Sequence, residues 1–181
     1  MQTRDRTEGR GERTTTYECG GCGVEYRVVG DEQPVVVCPD CGVRATLTGD
    51  AGARREYTVG RAKYREGRRR LSVALAAYED GDQPLARGDF DDAAGDFEEA
   101  VDHFTTAVRR AESRAVGMHC DTARKKATCL WQAAQWLSGA SWARERGDET
   151  RAAEFQHDAR NRLQAAARYE DPPEPDALGE S

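Results

Sequence analysis

The sequence predicts an α+β protein: a small three-stranded, cysteine-bearing ribbon followed by an antiparallel bundle of about four helices. Three observations carry that expectation. Two CxxC pairs stand within residues 17–49, among β-branched runs. From residue 56 to 169, Ala, Leu, Arg and Glu dominate, and Pro84 is the only proline. Within that stretch Phe90, Phe97, Phe104 and Ala111 recur every seven residues, giving one apolar stripe over three heptads.

Each element follows from local composition. Residues 1–16 (MQTRDRTEGRGERTTT) mix charge with Gly and Thr and lack apolar periodicity, so a disordered lead is expected. In the ribbon, VEYRVV and PVVVC read as strands around a GDEQ turn, and VRATLT supplies a third. Residues 50–55, opening DAGA, read as a linker. A first helix is expected over 58–79, stopping at Asp80-Gly81-Asp82. A second begins at Asp89, which can cap it; Ala93, Ala100 and Ala107, with Ala94, Val101 and Val108, widen its stripe. Arg109, Arg110 and Arg114 suit the negative end of its dipole. A third, over 117–146, carries Leu130, Trp131, Leu137 and Trp142, and Gly147-Asp148 ends it. The fourth, over 148–169, places Ala152, Phe155, Ala159, Leu163 and Ala166 on one side. Short turns between these helices imply antiparallel neighbours. Residues 170–181 (EDPPEPDALGES) read as an acidic disordered tail.

Composition bounds the function. The 181 residues have room for a domain of ordinary size plus a small one, and no stretch approaches the roughly 20 apolar residues of a membrane span. Without an apolar leader the expected location is cytoplasmic, where paired thiols signal metal or redox chemistry rather than disulfides. The net charge of -6 opposes bulk affinity for nucleic acid but leaves room for a basic patch. One such patch exists: residues 50–70 carry eight basic groups (Arg54, Arg55, Arg61, Lys63, Arg65, Arg68, Arg69, Arg70), whereas residues 71–102 carry ten acidic groups and only Arg87. The plainer expectation is that these stretches face each other or solvent within the bundle; the sharper is that the basic stretch, with Arg27 and Arg44 of the ribbon, touches nucleic acid or an acidic partner.

The cysteines are the strongest signal. Cys19 and Cys22 form one CxxC pair and Cys38 and Cys41 the other. Each CxxC turn puts two thiolates on one side of a tight loop, so two loops together supply four sulfurs at about 2.3 Å from a zinc ion. Gly23 and Gly42 follow each pair, permitting positive φ so that backbone N–H groups can turn toward sulfur. The order strand, CxxCG, hairpin, CPxCG, strand resembles the four-cysteine zinc ribbon family, which implies Cys19, Cys22, Cys38 and Cys41 as ligands and binding to DNA, RNA or protein. The rubredoxin-like iron domain shares the same cysteine pattern, so iron stays an alternative. Its usual aromatic surround is represented here only by Tyr17 and Tyr26, which favours zinc. Four cysteine ligands leave no open position for water or substrate, so a structural metal is expected.

In the helical part, GDFEEAVDHFTTAV, residues 95–108, resembles the second-helix half of a tetratricopeptide repeat through Gly95, Ala100, Phe104 and Ala107. GDETRAAEFQHDA, residues 147–159, matches through Gly147, Ala152 and Ala159, with Trp136 and Ala140 before it. That resemblance implies a repeat-like bundle that binds protein segments. Cys120 and Cys129 point to nearly opposite helix faces and read as small buried residues. His103, His119 and His157 read as ordinary boundary residues, and Trp131 and Trp142 as core. No nucleotide loop, HExxH or GxSxG stands in the sequence. The expected function is therefore a non-enzymatic zinc-binding adaptor that docks a protein through its helices; a nucleic-acid-associated zinc ribbon regulator is the alternative, and an iron electron carrier a third.

Overall fold

The computed structural model describes residues 14–19, 21–29 and 36–178. Most of the expected lead, the turn and strand start over 30–35 and the last three residues lie outside them. Four strands, β1 (Thr14–Cys19), β2 (Glu25–Val29), β3 (Val36–Val37) and β4 (Arg44–Leu47), form one antiparallel sheet in the order β2-β1-β4-β3. The expectation of three strands is corrected by β1, whose first three residues fall in the segment read as lead. Thr14, Thr15 and Thr16 are β-branched and suit a pleated backbone. β1 is central: it pairs with β2 from Thr14↔Val29 to Glu18↔Glu25 and with β4 from Tyr17↔Leu47 to Cys19↔Ala45. Its backbone groups thereby find partners on both sides. Beneath it, Tyr17, Ala45 and Leu47 are buried, and Tyr26, Val28, Val36 and Ala51 pack against them.

Four helices follow: α1 (Gly49–Glu79), α2 (Gln83–Arg110), α3 (Arg114–Glu145) and α4 (Glu149–Ala166). Residues 50–55 are no linker but the opening of α1, and Gly52, which suggested flexibility, serves close approach. A Cβ on Gly52 would stand 2.3 Å from the Leu47 carbonyl oxygen. Gly49 takes φ +64°, the left-handed region that turns the chain from β4 into the helix. Asp50 then reaches across to the α2–α3 turn, where its Oδ1 accepts from the amides of Glu112 (2.9 Å) and Ser113 (3.0 Å). One carboxylate thus ties the start of α1 to the start of α3 and helps satisfy amides that a helix entrance leaves open.

The second helix begins six residues earlier than the expected Asp89. Asp82 caps it, accepting from the Leu85 amide, and Pro84 sits in its first turn. Proline lacks only an N–H that the first turn cannot use, so Pro84 opens the helix instead of breaking it. Ser113 and Asp148 cap α3 and α4 in the same way.

The α1–α2 contact is an aromatic ladder. Tyr57 and Tyr64 of α1 meet Phe104 and Phe97 of α2 at centroid distances of 5.3 and 5.9 Å, and Tyr78 meets Phe90 at 6.0 Å. The pairing runs in opposite chain directions, so the helices are antiparallel. All three Phe rings are fully buried, each burial worth roughly 1.5–3 kcal/mol. Beside the tyrosines runs a stripe of small residues, Ala53, Gly60, Gly67 and Ala74, again seven apart, all buried. A Cβ on Gly60 or Gly67 would stand 3.0 Å from the Phe104 or Phe97 ring, so these glycines are where the phenylalanines fit. Ion pairs flank the ladder: Lys63 reaches Glu99, and Arg70 reaches Asp92 and Asp96.

The helices stack in chain order, α1 on α2, α2 on α3, α3 on α4. Arg87–Glu145 and Ser138–Asp91 join α2 to α3, and Phe155 of α4 packs on Trp136 and Gly139 of α3. Alanines line most of these seams, among them Ala93, Ala100, Ala107, Ala123, Ala127 and Ala134, all 1% exposed or less. Small side chains let helix axes approach closely.

The segment after α4 departs from expectation as well. Residues 170–178, read as part of a disordered tail, lie along α1. Tyr57 Oη donates to the Pro173 carbonyl (3.0 Å), and Arg61 Nε to the Pro172 carbonyl (3.1 Å). Arg61 also grips Glu174 with both terminal nitrogens. Asp171 accepts from Tyr64 Oη (2.8 Å) and pairs with Arg68 and Lys126. A short 3-10 turn, Pro175–Ala177, then delivers Leu178 into the core at 1% exposure. An acidic, proline-rich composition argues against a core of its own, but it suits a chain held by another element's cations.

Candidate metal centre

The two CxxC turns are built alike. In the first, the Cys19 amide donates to the Val24 carbonyl (3.0 Å) and the Gly23 amide to the Cys19 carbonyl (2.9 Å); in the second, Cys38 donates to Val43 (2.9 Å) and Gly42 to Cys38 (3.0 Å). Gly23 and Gly42 take φ of +71° and +72°, as the sequence reading expects of a residue that closes such a turn. β1 ends in Cys19, and the β3–β4 hairpin carries Cys38 and Cys41, so the β1–β4 pairing brings the turns face to face. Gly21 lies directly against the second turn: a Cβ there would stand 2.9 Å from Cγ2 of Val43.

The result is one cluster of four sulfurs. All lie within 4.8 Å of one another, with Cys19 to Cys41 at 3.3 Å and Cys22 to Cys38 at 3.7 Å. The edge of a tetrahedron with metal–sulfur bonds near 2.3 Å is about 3.8 Å, so the set fits a metal ion. The cysteines are free thiols, too far apart for S–S bonds. Cys19 and Cys38 are buried and Cys22 and Cys41 exposed, so the centre is seated on the sheet with one side toward solvent.

The electrostatics of the cluster are compatible with a bound cation. Amides of Cys22 and Gly21 hold the Cys19 thiol down to about 6. At Cys41 the Val43 amide also favours the thiolate, but the thiols of Cys19, Cys22 and Cys38, together with burial, outweigh it and push the group up to about 12. Cys22 is pulled down by the Val24 amide but raised on balance by the Cys19 thiol, burial and the Cys38 thiol. Backbone amides thus favour negative sulfur at Cys19, Cys22 and Cys41, while neighbouring thiols oppose it at Cys22 and Cys41. A bound cation removes that conflict, and the donor set suits zinc or iron equally.

The other residues singled out by sequence are dispersed. Arg27 lies on β2 and Arg44 on β4, both exposed, with β1 between them. In α1, Arg61 and Arg68 hold the tail, Lys63 and Arg70 hold acids of α2, and Arg69 pairs with Glu66. Arg55 is engaged by its surroundings, and Arg54 and Arg65 complete the stretch without an ion pair within 4.0 Å among the described residues. The basic and acidic stretches therefore do face each other in part, as the plainer expectation holds. Cys120 is buried and Cys129 half-buried, and neither belongs to the cluster. His103 pairs with Glu56 at 2.9 Å. Trp131 packs on the core, whereas Trp142 lies under Arg146, 4.1 Å from its guanidinium carbon. Tyr26 turns inward, stacked on Tyr17 at 6.1 Å with its hydroxyl buried.

Sequence reading missed the face of α1 that carries Tyr57, Arg61, Tyr64 and Arg68. Its signal was present, since Tyr57, Tyr64, Leu71 and Tyr78 recur every seven residues. No protein-family model matches the chain, no curated protein matches it, and no solved structure matches it. Among the described residues no helix is long and apolar enough to cross a membrane.

Proposed function

We propose that the chain is a non-enzymatic adaptor: an N-terminal four-cysteine zinc ribbon set on a repeat-like helical layer that docks a partner protein. The observation that carries this reading is the closed set of Cys19, Cys22, Cys38 and Cys41 at the head of α1, joined to it without a flexible linker. Four protein thiols complete a tetrahedral shell and leave no position for water or substrate, so the metal holds shape. Among the described residues the ribbon's buried cluster beyond its cysteines is Tyr17, Ala45 and Leu47, too small to order it without a cross-link. Zinc is favoured over iron by the sparse aromatic surround. The tetratricopeptide-like reading draws support from the chain-order stacking of α1 to α4, which leaves elongated faces for a protein segment.

The nucleic-acid reading loses weight because much of the basic stretch is engaged by acids of the same chain. Such a site binds through phosphates and weakens steeply with salt. The test is to purify the full chain, measure bound metal by elemental analysis, and identify what co-purifies with and without nuclease. One zinc per chain with a nuclease-resistant protein partner is the expected result. Iron with a red-brown colour would overturn the zinc assignment, and a partner released by nuclease would overturn the adaptor reading.

A further inference from the structure

We infer that the face of α1 carrying Tyr57, Arg61, Tyr64 and Arg68 is a docking surface for an extended, acidic, proline-containing segment of a partner protein, occupied at rest by the chain's own residues 170–178. This deepens the adaptor reading and rests on it. The four residues stand at intervals of four, three and four, which places them on one face of the helix. All four present donors to the tail.

Three features mark this contact as recognition of a segment type. Tyr57 and Arg61 bind the main-chain carbonyls of Pro173 and Pro172, which any extended chain offers. Consecutive prolines hold a segment extended before it binds, so little conformational entropy is lost. The acids set specificity: Asp171 faces Tyr64, Arg68 and Lys126, and Glu174 faces Arg61.

The tail also fills the surface incompletely. A cavity of about 520 Å³ lies beside it, lined by Arg61, Arg65, Arg68 and Arg69 as well as Asp171 and Glu174. Arg65 has no ion pair among the described residues, so a more acidic segment than the tail would gain a contact here. The tail's own acids are held at the rim, with Asp171 and Glu174 side chains 57% and 69% exposed. Charge-assisted bonds in that setting are screened by salt and exchange readily.

The occupant is tethered, so a free segment competes against an effective concentration on the order of millimolar. The experiment therefore uses the full chain and a fluorescent peptide of residues 170–181 as probe. Asp171→Asn with Glu174→Gln loosens the tethered copy, and this variant is expected to bind the peptide about tenfold or more tighter than the unsubstituted chain. Binding should fall as salt rises, vanish when the peptide's acids are replaced by their amides, and vanish when Arg61→Ala is added. Equal affinity of the two hosts, or no binding by a loosened host whose helical circular dichroism is intact, overturns the proposal. Hydrogen exchange on the unsubstituted chain is independent of any variant: amides of 174–178 should open well before the core of α2. Their exchange only on global unfolding would make the tail a permanent strap and sink the proposal. Concentration-dependent exchange of tails between chains would assign the surface to a second copy and equally overturn it. A partner captured without peptide binding overturns this inference alone and leaves the adaptor reading standing.

Discussion

The sheet and the helices of this protein reach order by different means. Apart from the buried cysteines Cys19 and Cys38, the described residues of the sheet, from Thr14 to Leu47, bury Tyr17, Ala45 and Leu47, with a few half-buried neighbours. The helical part buries one continuous cluster running from Ala53 to Leu178 across all four helices. A sheet of that size cannot offset the entropy of ordering its chain by burial alone, whereas the helices can. The difference explains why the chemistry-bearing cysteines sit where apolar residues are scarce. On the proposed reading the metal is the sheet's core, and the aromatic ladder is the bundle's.

The largest test of this contrast is Cys38→Ser. Structural zinc sites contribute on the order of 10 kcal/mol, so the variant should lose its metal and the dispersed amide resonances of the sheet, while helical circular dichroism stays unchanged. Loss of the helical signal as well would show that the two parts fold as one. Phe97→Ala is the mirror experiment. It should cost about 3–5 kcal/mol and lower the melting temperature by on the order of 10 °C, with metal content by elemental analysis unaffected.

Smaller changes probe the seam and the fit. Asp50→Ala removes the carboxylate that the Glu112 and Ser113 amides share, and should cost about 1–2 kcal/mol in chemical denaturation. Gly67→Ala and Gly95→Ala make a matched pair in mid-helix. At Gly95 nothing lies within 4 Å of the added methyl, so helix propensity should stabilise by about 1 kcal/mol. At Gly67 the methyl meets the buried Phe97 ring at 3.0 Å, and crowding should exceed that gain for a net loss of about 1 kcal/mol.

The smallest effect is on the tail. Lys126, with Tyr64 and Arg68, holds the Asp171 carboxyl at about 2 against an ordinary 3.8. Its proton is held more weakly in the folded chain than in the unfolded one. The contact therefore contributes fully above about pH 4 and is lost as pH falls through about 2. Asp171 is more than half exposed, so the contribution is below about 1 kcal/mol, and resonances of 171–178 should shift in that window while those of α2 do not.

How legible was each part? The four-cysteine cluster was readable because four thiols on two tight turns have few other uses, and the turn glycines at 23 and 42 announce their geometry. The helices were readable in kind because heptad stripes need only local sequence. Their boundaries were less so: Gly49 and Gly52 resemble a linker until Leu47 and Arg110 are seen pressed against the latter. Pro84 resembles a break until it stands in a first turn. β1 was hidden because three threonines after a charged lead become a strand only when β2 and β4 flank them.

Composition and spacing sufficed for what depends on neighbours in the chain: the cysteine turns, the helical stripes, the Gly147-Asp148 stop and the opposed charge runs. They could not reveal what depends on distant residues meeting. That Asp50 would tie down the turn before α3, that Gly60 and Gly67 would seat phenylalanine rings, and that an acidic tail would lie ordered along α1 all require long-range partners. A proline-rich acidic segment has no reason within itself to be ordered. It is ordered here because Tyr57, Arg61, Tyr64, Arg68 and Lys126, more than 40 residues away in the chain, supply the donors its carbonyls and carboxylates lack.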